Sequence, residues 1–193
     1  TGENQKLSFA GNSATNGGVI YNNGLMFIYG GEFTNNTATQ NGGVIYNACV
    51  TKISGDSIFK GNKAKSGGVI YNSSTSASIS IAGGTFGGTG TNDGNSATEG
   101  NIVYNNTILD ISNGSFINNN KTTSDIWQNN GILYLSTSTT ASIYLAASKS
   151  ITVTAALGTG SHYTVTAAEP SAYPKDGTTP LVKFAYDGAT VTA

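Results

Sequence analysis

The hexapeptide Gly-Gly-Val-Ile-Tyr-Asn occurs three times in this chain, at Gly17, Gly42 and Gly67, with a constant spacing of 25 residues. An exact repeat with a period between about 20 and 50 residues is typical of proteins in which one structural unit stacks on its own copies. The repeat therefore constrains the fold more than any other feature, because the unit must match its neighbours above and below.

A second series of landmarks follows the same period. A Phe-x-x-Asn pattern begins at Phe9, Phe33, Phe59 and Phe116. After Phe86 the matching asparagine, Asn95, is delayed by a six-residue insertion within residues 87–94. Stacked repeats tolerate such insertions as loops on one face. We therefore expect a surface loop in the fourth unit.

Apolar residues spaced by two follow the hexapeptide, as in Met26 and Ile28 or Leu109 and Ile111. This spacing places both side chains on one face of a β-strand. One unit is then a phenylalanine-centred strand, a turn, the hexapeptide strand, a turn at asparagine, and the apolar strand before a glycine corner. Three strands in about 25 residues predict one coil of a parallel β-helix. The crossover rule predicts a right-handed wind.

Alternation along the hexapeptide strand predicts which side chains face the core. We expect Ile20 and Asn22 to point inward and to stack coil on coil as an aliphatic row and an amide ladder, while Val19 and Tyr21 point outward. The opposite phase remains open, because Val, Ile and Tyr are all apolar and a one-residue slip exchanges the faces. The two glycines predict a sharp corner.

The repeat fades toward the C-terminus. Aligned without gaps, residues 124–129 are the fifth hexapeptide, so Trp127 occupies an aliphatic position. We interpret it as a core plug, with an exposed sugar-stacking ring as the alternative. Residues 1–135 are predicted to form the repetitive coils, and residues 136–193 to form irregular coils and a capping β segment of the same domain.

Composition limits the function. Charged residues make up 10% of the chain, against roughly 25% in ordinary soluble domains. With no arginine and a net charge of -1, nucleic acid is excluded as a partner. The single cysteine, Cys49, allows no disulfide within the chain. No apolar run is long enough to span a membrane, and the chain reads as a portion of a larger protein.

Few residues suit catalysis or metal binding. Asp93 and Glu99 flank the insertion and are the best candidate pair for acid and base chemistry on a polysaccharide, as in enzymes of the pectate-lyase-like β-helix class. We interpret them instead as turn residues. The single histidine, His162, is also assigned to a turn. We expect no catalytic residue, no metal site and no cofactor, and keep the polysaccharide-active enzyme as the alternative.

A binding surface is the preferred interpretation. If the tyrosines of the hexapeptides face solvent, they form a stacked row on a flat sheet, and aromatic residues are enriched at recognition surfaces. The candidate ligand-binding residues are Tyr21, Tyr46, Tyr71, Tyr104 and, in the insertion, Asp93. The exposed first coil also suggests end-to-end self-association.

The alternation of Phe-x-x-Asn with Gly-Gly-x-Ile resembles the repeats of chlamydial polymorphic membrane proteins and of related surface proteins, including spirochaetal ones. The resemblance covers roughly residues 1–135. It implies a β-helical passenger of the autotransporter type on the outer surface of a Gram-negative bacterium. It further implies an adhesin that contributes to virulence by binding a host surface protein or a glycan.

Overall fold

The computed structural model describes residues 6–73, 76–136, 140–147, 149–154, 162–168 and 182–184. In this part of the chain all regular elements are β-strands, and all strand pairs are parallel. Equivalent strands of successive repeats lie side by side. The predicted parallel β-helix is confirmed, while its right-handed wind stays a prediction.

The strands are short, and most span three to six residues. In chain order they are β1 Ser8–Ala10, β2 Ser13–Asn16, β3 Ile20–Asn22, β4 Met26–Ile28, β5 Glu32–Thr34, β6 Thr37–Asn41, β7 Ile45–Asn47, β8 Val50–Ile53, β9 Ile58–Lys60, β10 Ile70–Asn72, β11 Ser78–Gly87, β12 Val103–Asn105, β13 Ile108–Ile117, β14 Ile126–Gln128, β15 Ile132–Leu135, β16 Thr140–Leu145, β17 Ile151–Val153, β18 His162–Ala167 and β19 Val182–Phe184.

These strands form three sheets that enclose the core. The hexapeptide strands make a seven-stranded sheet, and the apolar and phenylalanine strands share a ten-stranded sheet. In β11 and β13 these two strands are fused into one strand of 10 residues, with a shift of register in the middle. A third side begins with β2 and β6, in a segment that the sequence predicted to be only a turn.

The glycine corner has two physical causes. Gly42 adopts a φ of +66°, which L side chains rarely take. A Cβ on Gly43 would collide with the backbone carbonyl oxygen of Gly68 in the next coil. The first glycine therefore allows the turn, and the second allows adjacent coils to approach.

Residues on the inner face of the hexapeptide sheet stack in register. One aliphatic row contains Ile20, Ile45, Ile70, Val103, Ile126, Ile143 and Val165. Ile45 and Ile70 are fully buried, whereas Tyr46 and Tyr71 on the opposite face are only half-buried. The preferred phase, with Ile and Asn inside and Tyr outside, is confirmed.

The valine of the hexapeptide does not follow that alternation. Val44 and Val69 are fully buried in the core, so the prediction that this position faces outward was wrong. The strand begins only at the isoleucine, and the N–H groups of Val19 and Ile20 both donate to the carbonyl oxygen of Val44. The backbone bends here, which lets two consecutive side chains point inward.

The position predicted for Trp127 was also wrong, by one residue. In the structure Ile126 pairs with Val103, Trp127 with Tyr104, and Gln128 with Asn105. Ile126 and Gln128 are fully buried. The fifth coil is one residue shorter than an alignment without gaps assumes. This shift of one residue buries Ile126 and Gln128. It places the indole of Trp127 on the outer face, in line with Tyr104.

Two buried amide ladders run along the β-helix. In the first, the Nδ2 group of Asn22 donates to Oδ1 of Asn47 at 2.8 Å, and the same bond repeats through Asn72 and Asn105 to Gln128. The second joins the Phe-x-x-Asn residues Asn12, Asn36, Asn62, Asn95 and Asn119. No buried side-chain polar atom of the described residues lacks a hydrogen bond.

The strands after residue 136 continue the same sheets. Strand β16 pairs with β14 and β18, while β17 pairs with β15 and β19. The assignment of residues 136–193 to one domain with the repeats, ending in a cap, stays a prediction, and residues 185–193 lie outside the described part. No helix long and apolar enough to cross a membrane occurs in the described residues.

Candidate functional site

The tyrosines of the hexapeptides form one row on the outside of the seven-stranded sheet. We call this the tyrosine row, and it consists of Tyr21, Tyr46, Tyr71 and Tyr104. Successive ring centroids lie 4.8, 5.4 and 5.0 Å apart, with interplanar angles of 10° to 17°. Tyr21, at the end of the row, is 61% exposed. The predicted aromatic ladder is therefore present.

Burial favours the neutral form of two hydroxyl groups in the row, those of Tyr71 and Tyr104. Burial raises the pKa of Tyr71, and burial raises the pKa of Tyr104 to about 12. The Nδ2 group of Asn106 donates to the Tyr71 hydroxyl at 3.3 Å, and Asn129 donates to Oδ1 of Asn106 at 2.8 Å. Phenol and amide groups thus provide both hydrogen-bond donors and acceptors beside the rings.

Two further aromatic residues continue the same line of positions. Trp127 and Tyr144 are the register partners that follow Tyr104. Their rings stack with centroids 3.7 Å apart and planes inclined by 19°. The next position is Thr166, which is exposed. The aromatic surface therefore ends in a step from a large ring to a small hydroxyl-bearing side chain.

An open groove of about 870 Å³ lies beside this step. We call it the Trp127 groove. Residues 116–125 form one wall, and Trp127, Ser142, Tyr144 and Thr166 contribute to the other. Neither the insertion nor the tyrosine row lines it. The sequence contained two signals for this site, the fading repeat and the only tryptophan, but the slip in alignment assigned that tryptophan to the core.

The groove lies where the coil spacing becomes shorter. Ser142 follows Asp125 by 17 residues, although the two are neighbours in adjacent coils, whereas equivalent residues of the first coils are 25 apart. Residues 136–139 alone separate β15 from β16, so this coil is shorter than those before it. Residues 116–125 of the preceding coil line the concavity beside it.

One carboxylate is fixed in the wall of the groove. Oδ2 of Asp125 accepts hydrogen bonds from the backbone N–H and the hydroxyl of Ser142, at 3.0 and 2.9 Å. The N–H of Asp125 in turn donates to the Ser142 hydroxyl oxygen at 2.9 Å. Burial raises the pKa of the Asp125 carboxyl. This closed pair holds the carboxylate in a single orientation.

Asp93 stabilises its own loop. Its Oδ2 accepts the N–H of Gly90 at 3.0 Å and lies 3.3 Å from the Lys60 ammonium. The hydrogen bond from Gly90 holds the pKa of the carboxyl below its usual value, and Lys60 acts in the same direction. A general acid needs a raised pKa. The environment of Asp93 therefore suits loop closure better than proton donation.

The other candidates for chemistry are dispersed. Glu99 accepts a hydrogen bond from the Ser66 hydroxyl at 2.7 Å, on the third side of the β-helix, and no described contact joins it to Asp93. Asp110 lies in the ten-stranded sheet, and burial raises its pKa. Cys49 is a free thiol. His162 begins β18 rather than a turn. The described residues contain no cluster suited to a metal ion.

Comparison with known proteins matches the first coils to a repeat family. The family model of the Chlamydia polymorphic membrane protein repeat matches residues 6–23, 30–48 and 56–73. Each match extends from a phenylalanine strand to the hexapeptide, so the three segments are similar to that repeat along most of one coil. Comparisons with curated proteins and with solved structures gave no significant match. The Trp127 groove lies outside the matched segments.

Proposed function

We propose that this chain, whose first coils match the Chlamydia polymorphic membrane protein repeat, is a recognition domain on the outer surface of a Gram-negative bacterium. It acts as an adhesin or surface scaffold of the autotransporter-passenger type and binds a host protein or glycan without catalysis. The name of the repeat family supports the location at a membrane surface. The tyrosine row supports the binding role.

The observation that carries the proposal is the geometry of the tyrosine row. The rings are held at fixed spacing by the sheet beneath them, so a ligand meets a rigid surface and little side-chain entropy is lost on binding. Tyrosine offers apolar contact area together with a polar group, which explains its enrichment at recognition surfaces. Below the row the amide ladder is internally satisfied. A partner on this face therefore meets the rings and hydroxyl groups rather than the amides, and the Tyr71 hydroxyl, which accepts a bond from Asn106, can still donate one.

A binding screen with matched variants tests this proposal. The chain is presented to immobilised host matrix proteins and glycans, and each binder is remeasured with the double substitution Tyr46→Ser and Tyr71→Ser. We expect binding to fall at least tenfold, which corresponds to about 1.4 kcal/mol. The control variant carries Tyr29→Ser and Tyr134→Ser, which removes two tyrosines that lie outside the row. Circular dichroism establishes that both variants remain folded.

Two outcomes would overturn the proposal. Equal losses in the row variant and the control variant would show that the row is not the binding surface. Depolymerisation of polygalacturonate by the chain, abolished by Asp93→Asn, would instead establish the alternative of a polysaccharide-active enzyme.

A further inference from the structure

We propose that the Trp127 groove binds a short, neutral oligosaccharide. The site is separate from the tyrosine row, and the proposal does not depend on the function proposed for that row. It rests on the aromatic step, on the polar groups that surround it, and on the charge and size of the groove.

The aromatic step offers a flat apolar surface beside hydroxyl groups. Trp127 and Tyr144 stack on each other, and the neighbouring coil continues with Thr166 instead of a third ring. A pyranose ring has one face of C–H groups, which packs on an aromatic side chain, and a rim of hydroxyl groups that require hydrogen bonds. A step from a ring to a threonine matches both surfaces.

Polar groups line the rest of the groove. Asp125 and Ser142 hold each other in place by reciprocal hydrogen bonds, so the position of the carboxylate in the groove is fixed. In the wall formed by residues 116–125, Asn120 accepts hydrogen bonds from the N–H and hydroxyl of Thr122. Amide, hydroxyl and carboxylate groups together complement sugar hydroxyls, which both donate and accept.

The charge of the groove favours a neutral ligand. Among the described residues that line it, Asp125 is the one carboxylate and Lys121 the one cation. A phosphate or a polyuronate would meet no excess of positive charge, and a basic peptide would meet no excess of negative charge. Glycoside hydrolysis ordinarily requires two carboxyl groups that flank the bond. These residues therefore suit binding of a sugar rather than its cleavage.

The size of the groove suits a short oligosaccharide. Its volume of about 870 Å³ falls within the range of roughly 300–1,000 Å³ that is usual for small-ligand sites. It is open along one side rather than enclosed, so a chain of sugars can pass through it. An extended chain contacts both the aromatic step and the wall formed by residues 116–124.

Trp127 provides an intrinsic probe, because it is the only tryptophan of the chain. Its fluorescence is measured while the chain is titrated to millimolar concentrations of cellotriose, mannotriose and triacetylchitotriose, with saturation-transfer NMR as a second readout. We expect at least one trisaccharide to change the emission. Tyr144→Thr should weaken that binding at least tenfold, whereas Tyr29→Thr, at an exposed position outside both the groove and the tyrosine row, should leave it unchanged.

A second variant does not depend on removing a half-buried ring. Thr166→Tyr places a bulky side chain on an exposed strand position, where it covers the free face of Tyr144, and it should also reduce binding at least tenfold. The absence of a response to all three trisaccharides in both readouts would overturn the proposal. Equal loss with Tyr29→Thr would overturn the location. This proposal is judged by Tyr144→Thr and Thr166→Tyr, and that for the tyrosine row by Tyr46→Ser with Tyr71→Ser, so the two proposals can fail separately.

Discussion

Two rows of aromatic rings run along this β-helix with nearly the same geometry and different environments. In the phenylalanine row, Phe9, Phe33, Phe59 and Phe86 stack at 5.0, 4.9 and 4.8 Å, and in the tyrosine row the spacing is 4.8 to 5.4 Å. Phe59 and Phe86 are fully buried. Tyr46 and Tyr71 are half-exposed.

The comparison shows that ring stacking in this fold reports strand register and not function. Parallel strands lie about 4.8 Å apart, so identical residues in register stack whether they face the core or solvent. Burial is what separates the two rows. The phenylalanine row should therefore matter chiefly for stability, and the tyrosine row chiefly for binding.

The largest effect on stability is expected in the phenylalanine row. Phe59→Ala removes a fully buried ring that stacks on Phe33 and Phe86. We expect the free energy of unfolding to fall by about 3–5 kcal/mol, measured by urea denaturation. A loss of stability no larger than that of Tyr46→Ala in the tyrosine row would contradict the assignment of the phenylalanine row to the core.

The amide ladder beside the phenylalanine row provides the second test. Oδ1 of Asn62 accepts from the backbone N–H and the side chain of Asn36, and its Nδ2 donates to the carbonyl of Phe33. Asn62→Ala leaves these buried groups unpaired and should cost roughly 1–3 kcal/mol. Asn23→Ala, at an exposed position, is the control and should have almost no effect. Equal denaturation midpoints for the two variants would argue against a stabilising ladder.

The tyrosine row should contribute less to stability than the phenylalanine row. Tyr46→Ala removes the stacking of its ring on Tyr21 and Tyr71, which we expect to cost about 0.5–1.5 kcal/mol. Thermal and urea unfolding of this variant and of Phe59→Ala give the comparison directly. If the two variants lost the same stability, the distinction between a structural and a binding row would not hold.

The smallest effect concerns alkaline pH. The folded pKa of Tyr104 is raised from 10.0 to about 12, so the unfolded chain releases this proton first. The corresponding stability is fully present below pH 10.0 and is lost as the pH rises toward about 12. Solvent screening of a half-exposed group keeps the effect modest. Tyr104→Phe should flatten the decline, and parallel curves for the two proteins would disprove the link.

Much of the fold could be predicted because a constant repeat length determines which residues of successive coils pair with each other. The period placed Ile20, Ile45 and Ile70 in one row, and the pairing confirms it. The alternation rule failed at Val44 because the backbone bends before the strand starts. The alignment without gaps failed at Trp127, because the shortening of the coil by one residue cannot be recognised in a degenerate repeat.

The repeat by itself determined a parallel β-helix with rows of identical residues, since a unit that stacks on its own copies must place them in line. The structure decided that the asparagines face inward and the tyrosines outward. Tertiary structure alone decided the Trp127 groove. The groove depends on the shortening of one coil and on the contact between Asp125 and Ser142 of adjacent coils. A local sequence pattern cannot show which surface is left uncovered when a coil becomes shorter.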